Sequence, residues 1–100
     1  MNEPHPLFDV DRIIHEPARL LIVTILSTAI TADFLYLLNE SGLSKGNLSA
    51  HLSKLEDAGY VTIEKTYRGK VPKTLCHLTE EGRKSFKNYR KQMKKILKRQ

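Results

Sequence analysis

Between Ser44 and Leu55 the chain sets Ser44, Lys45, Asn47, Ser49, Ser53 and Lys54 around Leu48, Leu52 and Leu55. The leucines are spaced i, i+4 and i+7, so on a helix they share one face and the polar residues take the others. Short hydroxyls and an amide carry donors and acceptors close to the backbone, and the lysines carry charge on a long stem. That combination suits reading a flat polar edge and holding an anion. Gly46 and Ala50, lying between, let a partner approach the backbone closely. A second basic group, Arg68-Gly69-Lys70, follows further along.

Nothing comparable points to catalysis. There is no glycine-rich phosphate loop, HExxH or GxSxG, and Asp9-Val10-Asp11 and Glu80-Glu81 read as solvated arm and helix start. The chain is therefore not expected to be an enzyme. A metal would have to draw on Cys76, His77, His51, His15 and His5, but Cys76 and His77 are adjacent in a strand and point to opposite faces. No metal site and no cofactor are expected. A single cysteine also excludes an internal disulfide and suits a reducing compartment.

The elements that must position the polar face follow from periodicity and caps. Residues 1–15 read as an extended arm, with Leu7, Phe8 and Val10 to dock. Glu16-Pro17 opens a first helix, because proline's fixed φ is already helical at that place. The pattern lapses around Ser27 to Ile30, enough for one short extended segment. Thr31 then reads as an N-cap with Asp33 in the first turn, and a short amphipathic helix through Phe34, Leu35, Leu37 and Leu38 closes at Ser41-Gly42. Ser44 caps the next helix, which runs to Ala58 before Gly59 stops it. A period of two over Tyr60–Lys65 predicts a strand, and Val71–Leu78 predicts its return. Pro72 places that return at a sheet edge or makes it begin later. Thr79 with Glu80 and Glu81 opens a last helix reaching Leu97.

The resulting fold class is mainly α with a small β-hairpin: a winged helix-turn-helix, extended by a long C-terminal helix. The 100 residues fit one such unit, divided into an arm (1–15), a core (16–78) and a basic helix (79–100). This order has a physical reason to bind double-stranded DNA. The major groove, about 12 Å wide, admits one helix whose outer face offers short donors and acceptors to base edges. Lys45, Asn47 and Ser49 head that set, Lys54 reaches a phosphate, and a wing at 66–71 brings Arg68 and Lys70 to the backbone or minor groove.

The run from Leu43 to Val61, LSKGNLSAHLSKLEDAGYV, and the join Leu78-Thr79-Glu80-Glu81-Gly82 resemble the small MarR-like and ArsR-like winged-helix regulators of bacteria and archaea. The resemblance covers about residues 14–97. It implies transcription regulation at a promoter, with Ser44, Lys45, Asn47, Ser49 and His51 on the recognition helix and Arg68 and Lys70 on the wing; Ser53 and Lys54 complete the expected DNA-binding set. A helical wheel turns His51 partly toward the apolar face. The resemblance also implies a homodimer, with recognition helices about 34 Å apart. Phe86, Tyr89, Met93, Ile96 and Leu97 are the expected dimerisation stripe. Because Arg90, Lys91, Lys94, Lys95 and Lys98 flank it, a parallel copy would be repelled, and the stripe is expected to meet a partner's arm or first helix. No polar cluster assigns a small-molecule effector.

Net charge is +6, unevenly spread. Residues 1–81 carry 8 Lys and Arg against 11 Asp and Glu, or −3, while residues 82–100 carry 9 against none, or +9. Such a balance favours polyanions. The apolar stretch Leu20–Leu38 holds Thr24, Ser27, Thr28, Thr31 and Asp33, and an ionisable side chain at mid-bilayer costs about 2.5 to 3.5 kcal/mol. Two short helices are expected there and no membrane span. The N-terminus shows no basic-then-apolar leader, so a cytoplasmic location is expected. The alternative reading is a winged-helix interaction subunit of a transcription or assembly complex, its polar helix facing protein. RNA binding, which stacks bases on aromatics, has only Tyr67 near the proposed surface.

Overall fold

The computed structural model describes residues 3–29 and 31–98. A 3-10 turn at Pro6–Asp9 leads into α1 (Pro17–Thr28), β1 (Ala32–Asp33), α2 (Phe34–Ser41), α3 (Lys45–Asp57), β2 (Val61–Arg68), β3 (Val71–Leu78) and α4 (Glu80–Leu97). The three strands form one antiparallel sheet in the order β1-β3-β2.

Local chemistry explains most boundaries. Glu16 caps α1 by accepting from the Ala18 amide, with Pro17 at the first helical position. Gly42, at φ 70°, closes α2 as its N–H donates to the Leu38 carbonyl at 3.1 Å. Ser44 Oγ accepts from the Asn47 amide at 3.1 Å and opens α3. Thr79 opens α4, its Oγ1 accepting from the Gly82 amide at 2.9 Å.

Four local expectations need correction. The arm is not simply extended: His5 Nδ1 accepts from the Leu7 amide at 3.0 Å and folds Pro6–Asp9 into a turn. Ser27 and Thr28 stay helical, and the extended segment comes later, at Ala32–Asp33, where Ala32 pairs with Cys76 and Asp33 with Leu75. Ile30, part of that expectation, lies outside the described residues. Because pairing holds the chain extended through Asp33, Asp33 and not Thr31 caps α2, its Oδ1 accepting from Tyr36 at 2.7 Å. The hairpin is also longer than periodicity suggests, pairing without interruption from Val61↔Leu78 to Arg68↔Val71. Only Gly69 and Lys70 remain for the turn, and Gly69 takes the φ of 65° it requires. β3 is the central strand, yet β1 reaches only Leu75 and Cys76, so Pro72 sits where the outer side of β3 is open.

The core gathers one face of each element: Ile14 from the arm, Ile22, Val23 and Leu26 from α1, Leu37 from α2, Leu48, Leu52 and Leu55 from α3, Val61, Cys76 and Leu78 from the sheet, and Phe86 and Tyr89 from α4. Burying each large aliphatic side chain contributes about 1.5 to 3 kcal/mol. The Leu20–Leu38 stretch is split between two helices, and no helix among the described residues is long and apolar enough to cross a membrane.

The join between hairpin and α4 is the tightest point. Thr79 N donates to the Tyr60 carbonyl at 2.9 Å, and Thr79 Oγ1 donates to the Gly59 carbonyl at 2.7 Å. A Cβ at Gly82 would lie 2.3 Å from the Tyr60 oxygen, whereas one at Gly46 in α3 would meet nothing within 4 Å. Gly82→Ala is therefore expected to destabilise the fold by about 1 to 3 kcal/mol, and Gly46→Ala to leave it unchanged or stabilise it by up to about 1 kcal/mol. Urea unfolding followed by circular dichroism measures both; equal effects would contradict the packing at Gly82.

Candidate nucleic-acid interface

α3 packs on α1, α2 and β2 through Leu48, Leu52 and Leu55, all buried. That leaves Ser44, Lys45, Gly46, Asn47, Ser49, Ala50, Ser53 and Lys54 exposed. Among the described residues neither Lys45 nor Lys54 enters an ion pair. The polar residues singled out in the sequence thus share one open side, with His51 the exception. Its Nδ1 lies 3.2 Å from Arg19 Nη1 and 3.4 Å from Glu16 Oε2, so the ring is turned to the start of α1. His51 ties α3 to α1 and does not belong to the exposed set. Arg19 is itself anchored, its Nε donating to the Ile13 carbonyl at 2.6 Å.

Beside α3 stands the hairpin, with Arg68, Gly69 and Lys70 exposed at its tip. A groove of about 590 Å³ separates the two, lined by Ser49, Ser53 and Glu56 of α3, Ile63 and Lys65 of β2, Thr74 of β3 and Phe34 of α2. Glu56 and Lys65 were missed in the sequence. Each reads as ordinary solvated charge along its own element, and only packing β2 against α3 brings them to one groove. A carboxylate there could accept from a cytosine amino group, and an ammonium could hold a phosphate. Arg68 lines a second groove, with Asp33, Leu35, Val71 and Pro72, that shares Phe34 and Thr74 with the first.

Asp33 fixes the hairpin relative to α2. One oxygen caps the helix and the other lies 3.6 Å from Lys73 Nζ. Both side chains are about a third exposed, so the ion pair is worth about 0.2 to 1 kcal/mol; its value is positional. On the opposite flank Asp11 accepts from the Ile13 and Ile14 amides at 2.8 and 3.1 Å, and Tyr60 donates its hydroxyl to the same carboxylate. Burial, then the hydrogen bond to Asp11, raises the Tyr60 pKa, which keeps that donor protonated.

The α4 stripe divides. Phe86 and Tyr89 are 7% and 4% exposed, taken up by the chain's own core, and Tyr89 Oη lies 2.7 Å from His15 Nδ1. Met93 and Ile96 are partly buried against that core, and Leu97 is 64% exposed. What remains for a partner is thus Met93, Ile96 and Leu97, narrower than the stripe read from the sequence. The physical reason is that α4 packs within its own chain on both α1 and the arm, where Tyr89 meets His15.

A family model described as a winged helix DNA-binding domain matches residues 18–97, from the first turn of α1 to the end of α4. The chain belongs to this family. This winged helix domain is 38% identical over 79 residues to an uncharacterized protein of Methanocaldococcus jannaschii, covering 78% of this chain and 85% of that one. Its fold is also similar to the solved structure of a transcriptional regulator homologue protein from Pyrococcus horikoshii, at 26% identity and a TM-score of 0.88, covering 93% and 94% of the two chains. A PadR family transcriptional regulator from Eggerthella lenta shares the fold at 19% identity and a TM-score of 0.67, over 86% and 83%. Mainly helical, with a hairpin wing and a long last helix, the domain has the fold class expected from its sequence.

Cys76 of the winged helix domain is buried, pairs with Ala32 and Ile63 across the sheet, and takes no part in the exposed surface. Burial first, then the carboxylates of Asp33 and Glu56, pushes its thiol up to about 11. The folded state therefore favours the neutral thiol. This stability is fully present below about pH 9, the unfolded value, and is lost as pH rises through about 11. A thiol-specific chromogenic reagent at pH 8 is expected to label Cys76 in urea within seconds and in the native protein at least a hundredfold more slowly. Equal rates would show that the sheet does not shield it.

Proposed function

We propose that this winged helix domain is a non-enzymatic regulator that binds double-stranded DNA sequence-specifically as a homodimer at promoters in the cytoplasm. α3 enters the major groove, and the hairpin tip lies on the backbone or in the minor groove. The observation that carries this reading is the exposed side of α3: Ser44, Lys45, Asn47, Ser49, Ser53 and Lys54 are all open while the opposite leucines are buried. Asn47 is suited to pair with an adenine edge, and Ser49 and Ser53 to either donors or acceptors. Lys54, Arg68 and Lys70 hold phosphates and set register without reading sequence. The likeness to the Pyrococcus transcriptional regulator homologue, over nearly the whole of both chains, supports regulation as the use of that binding.

Two copies would present two α3 helices about 34 Å apart, so a preferred site should have two-fold symmetry with one helical turn between half-sites. Met93, Ile96 and Leu97 supply the remaining apolar stripe, and Phe8, 63% exposed on the arm, is a further anchor.

Selection of bound duplexes from a random pool is expected to yield one palindromic sequence; a pool that stays random would sink the proposal. Asn47→Ala should cost about 1 to 3 kcal/mol on the selected site and relax preference at one base pair. Arg68→Ala should weaken every duplex alike and lower the salt slope by about 1. Fluorescence anisotropy on the selected site and a scrambled one separates these outcomes, and identical profiles for both variants would contradict the assigned roles. For the dimer, sedimentation at micromolar concentration should give twice the chain mass, reduced to one chain by Leu97→Glu; a wild-type monomer that still selects one palindrome would refute assembly through α4.

A further inference from the structure

α4 and its C-cap carry Arg83, Lys84, Lys87, Arg90, Lys91, Lys94, Lys95 and Lys98, all exposed. At 100° per residue these cations fall within an arc of roughly 140°, while Phe86, Tyr89, Met93, Ile96 and Leu97 fill a separate arc. Ser85, Asn88 and Gln92 occupy the gap between. Among the described residues none of the six lysines meets a carboxylate within ion-pair distance. Nor does the neighbouring element neutralise them, since α1, on which α4 packs, contains no Asp or Glu. Asp9 of the arm shares a small cavity with Lys95 but makes no ion pair with it.

The spacing of this stripe is informative. From residue 83 to residue 98 a helix advances about 22 Å, or about 3 Å per cation. One strand of a DNA duplex carries a phosphate charge about every 3.4 Å along its axis. We infer that the cationic arc of α4 is a second duplex-binding surface, sequence-independent, that lies along a sugar–phosphate backbone. It lies on a different helix from the open side of α3, and α3 and α4 each pack on α1. The inference goes beyond the reading of α3 and does not rest on it.

Two other polyanion surfaces fit less well. A basic amphipathic helix binds a bilayer by sinking its apolar face beneath the headgroups, but here Phe86 and Tyr89 are buried in the core and Met93 and Ile96 pack against it. A second copy of this chain that met this arc with its own α4 would bring like charge, with repulsion instead of neutralisation, and Met93, Ile96 and Leu97, proposed above for assembly, lie outside the arc.

The test uses the full chain and a 30-base-pair random duplex. Lys87→Gln, Lys91→Gln, Lys94→Gln and Lys98→Gln together remove the centre of the arc without touching a buried residue. Against log salt, log affinity for that duplex should lose about 3 to 4 of its slope, at about 0.9 per phosphate charge, while the melting temperature stays within a few degrees. An unchanged slope overturns the inference. Should the variant not fold, the wild-type protein answers by lysine acetylation: Lys87, Lys91 and Lys94 are expected to be at least fivefold protected by the random duplex, and equal modification with and without it overturns the inference. A third arm uses vesicles containing 30% phosphatidylserine at 150 mM salt. Vesicle binding that the four substitutions abolish while duplex binding stays would overturn it in favour of a membrane, and no vesicle binding supports it.

Discussion

Leu48, Leu52 and Leu55 line one side of α3 and are buried against α1, α2 and β2. Their burial, at about 1.5 to 3 kcal/mol each, holds the helix at one rotation about its axis. Everything polar on α3 is thereby committed to the opposite side. A rotation of a third of a turn would put serine and asparagine into the core, where each polar group without a partner costs about 1 to 3 kcal/mol. The leucine face is thus what makes the polar face available, and the two cannot be altered independently.

Around that helix a few polar contacts act as spacers more than as sources of energy. Asp33 caps α2 and meets Lys73 of the hairpin; Asp11 folds the arm and accepts from Tyr60; Thr79 starts α4 while bonded to the Gly59 and Tyr60 carbonyls. Each joins two elements that α3 alone does not touch together. α3 itself packs on β2, and these joins hold the arm, α2, β3 and α4 around that contact. Gly82 belongs to the same group, because only the absence of a Cβ lets α4 approach the Tyr60 carbonyl.

Charge is partitioned along the same lines. The first 81 residues, acidic on balance, keep six of their eight cations on α3 and the hairpin, with Arg12 on the arm and Arg19 on α1, and the last 19 hold nine cations with no acidic side chain. α4 uses one arc for the core and the opposite arc for solvent, so its cations are displayed by the same packing that buries Phe86 and Tyr89. A polyanion approaching either surface is attracted by its cations, and the α3 side adds short hydroxyls and an amide close to the backbone.

Much of this was legible in the residue order. Caps at Glu16, Ser44 and Thr79, stops at Gly42 and Gly59, and the change of period at Val61 depend on neighbours a few residues away, so local chemistry dictated them. The leucine spacing likewise determined which α3 side chains would be exposed. Long-range pairing decided the rest: β1 formed at Ala32–Asp33 because Leu75 and Cys76 lay alongside, and the cap of α2 moved to Asp33 with it. His51 turned to Glu16 and Arg19, Glu56 and Lys65 came to one groove, and Phe86 and Tyr89 entered the chain's own core, Tyr89 beside His15 of the arm. None of these can be read from periodicity, because each depends on how separate elements pack, from Glu56 and Lys65 on neighbouring elements to His15 and Tyr89, 74 residues apart.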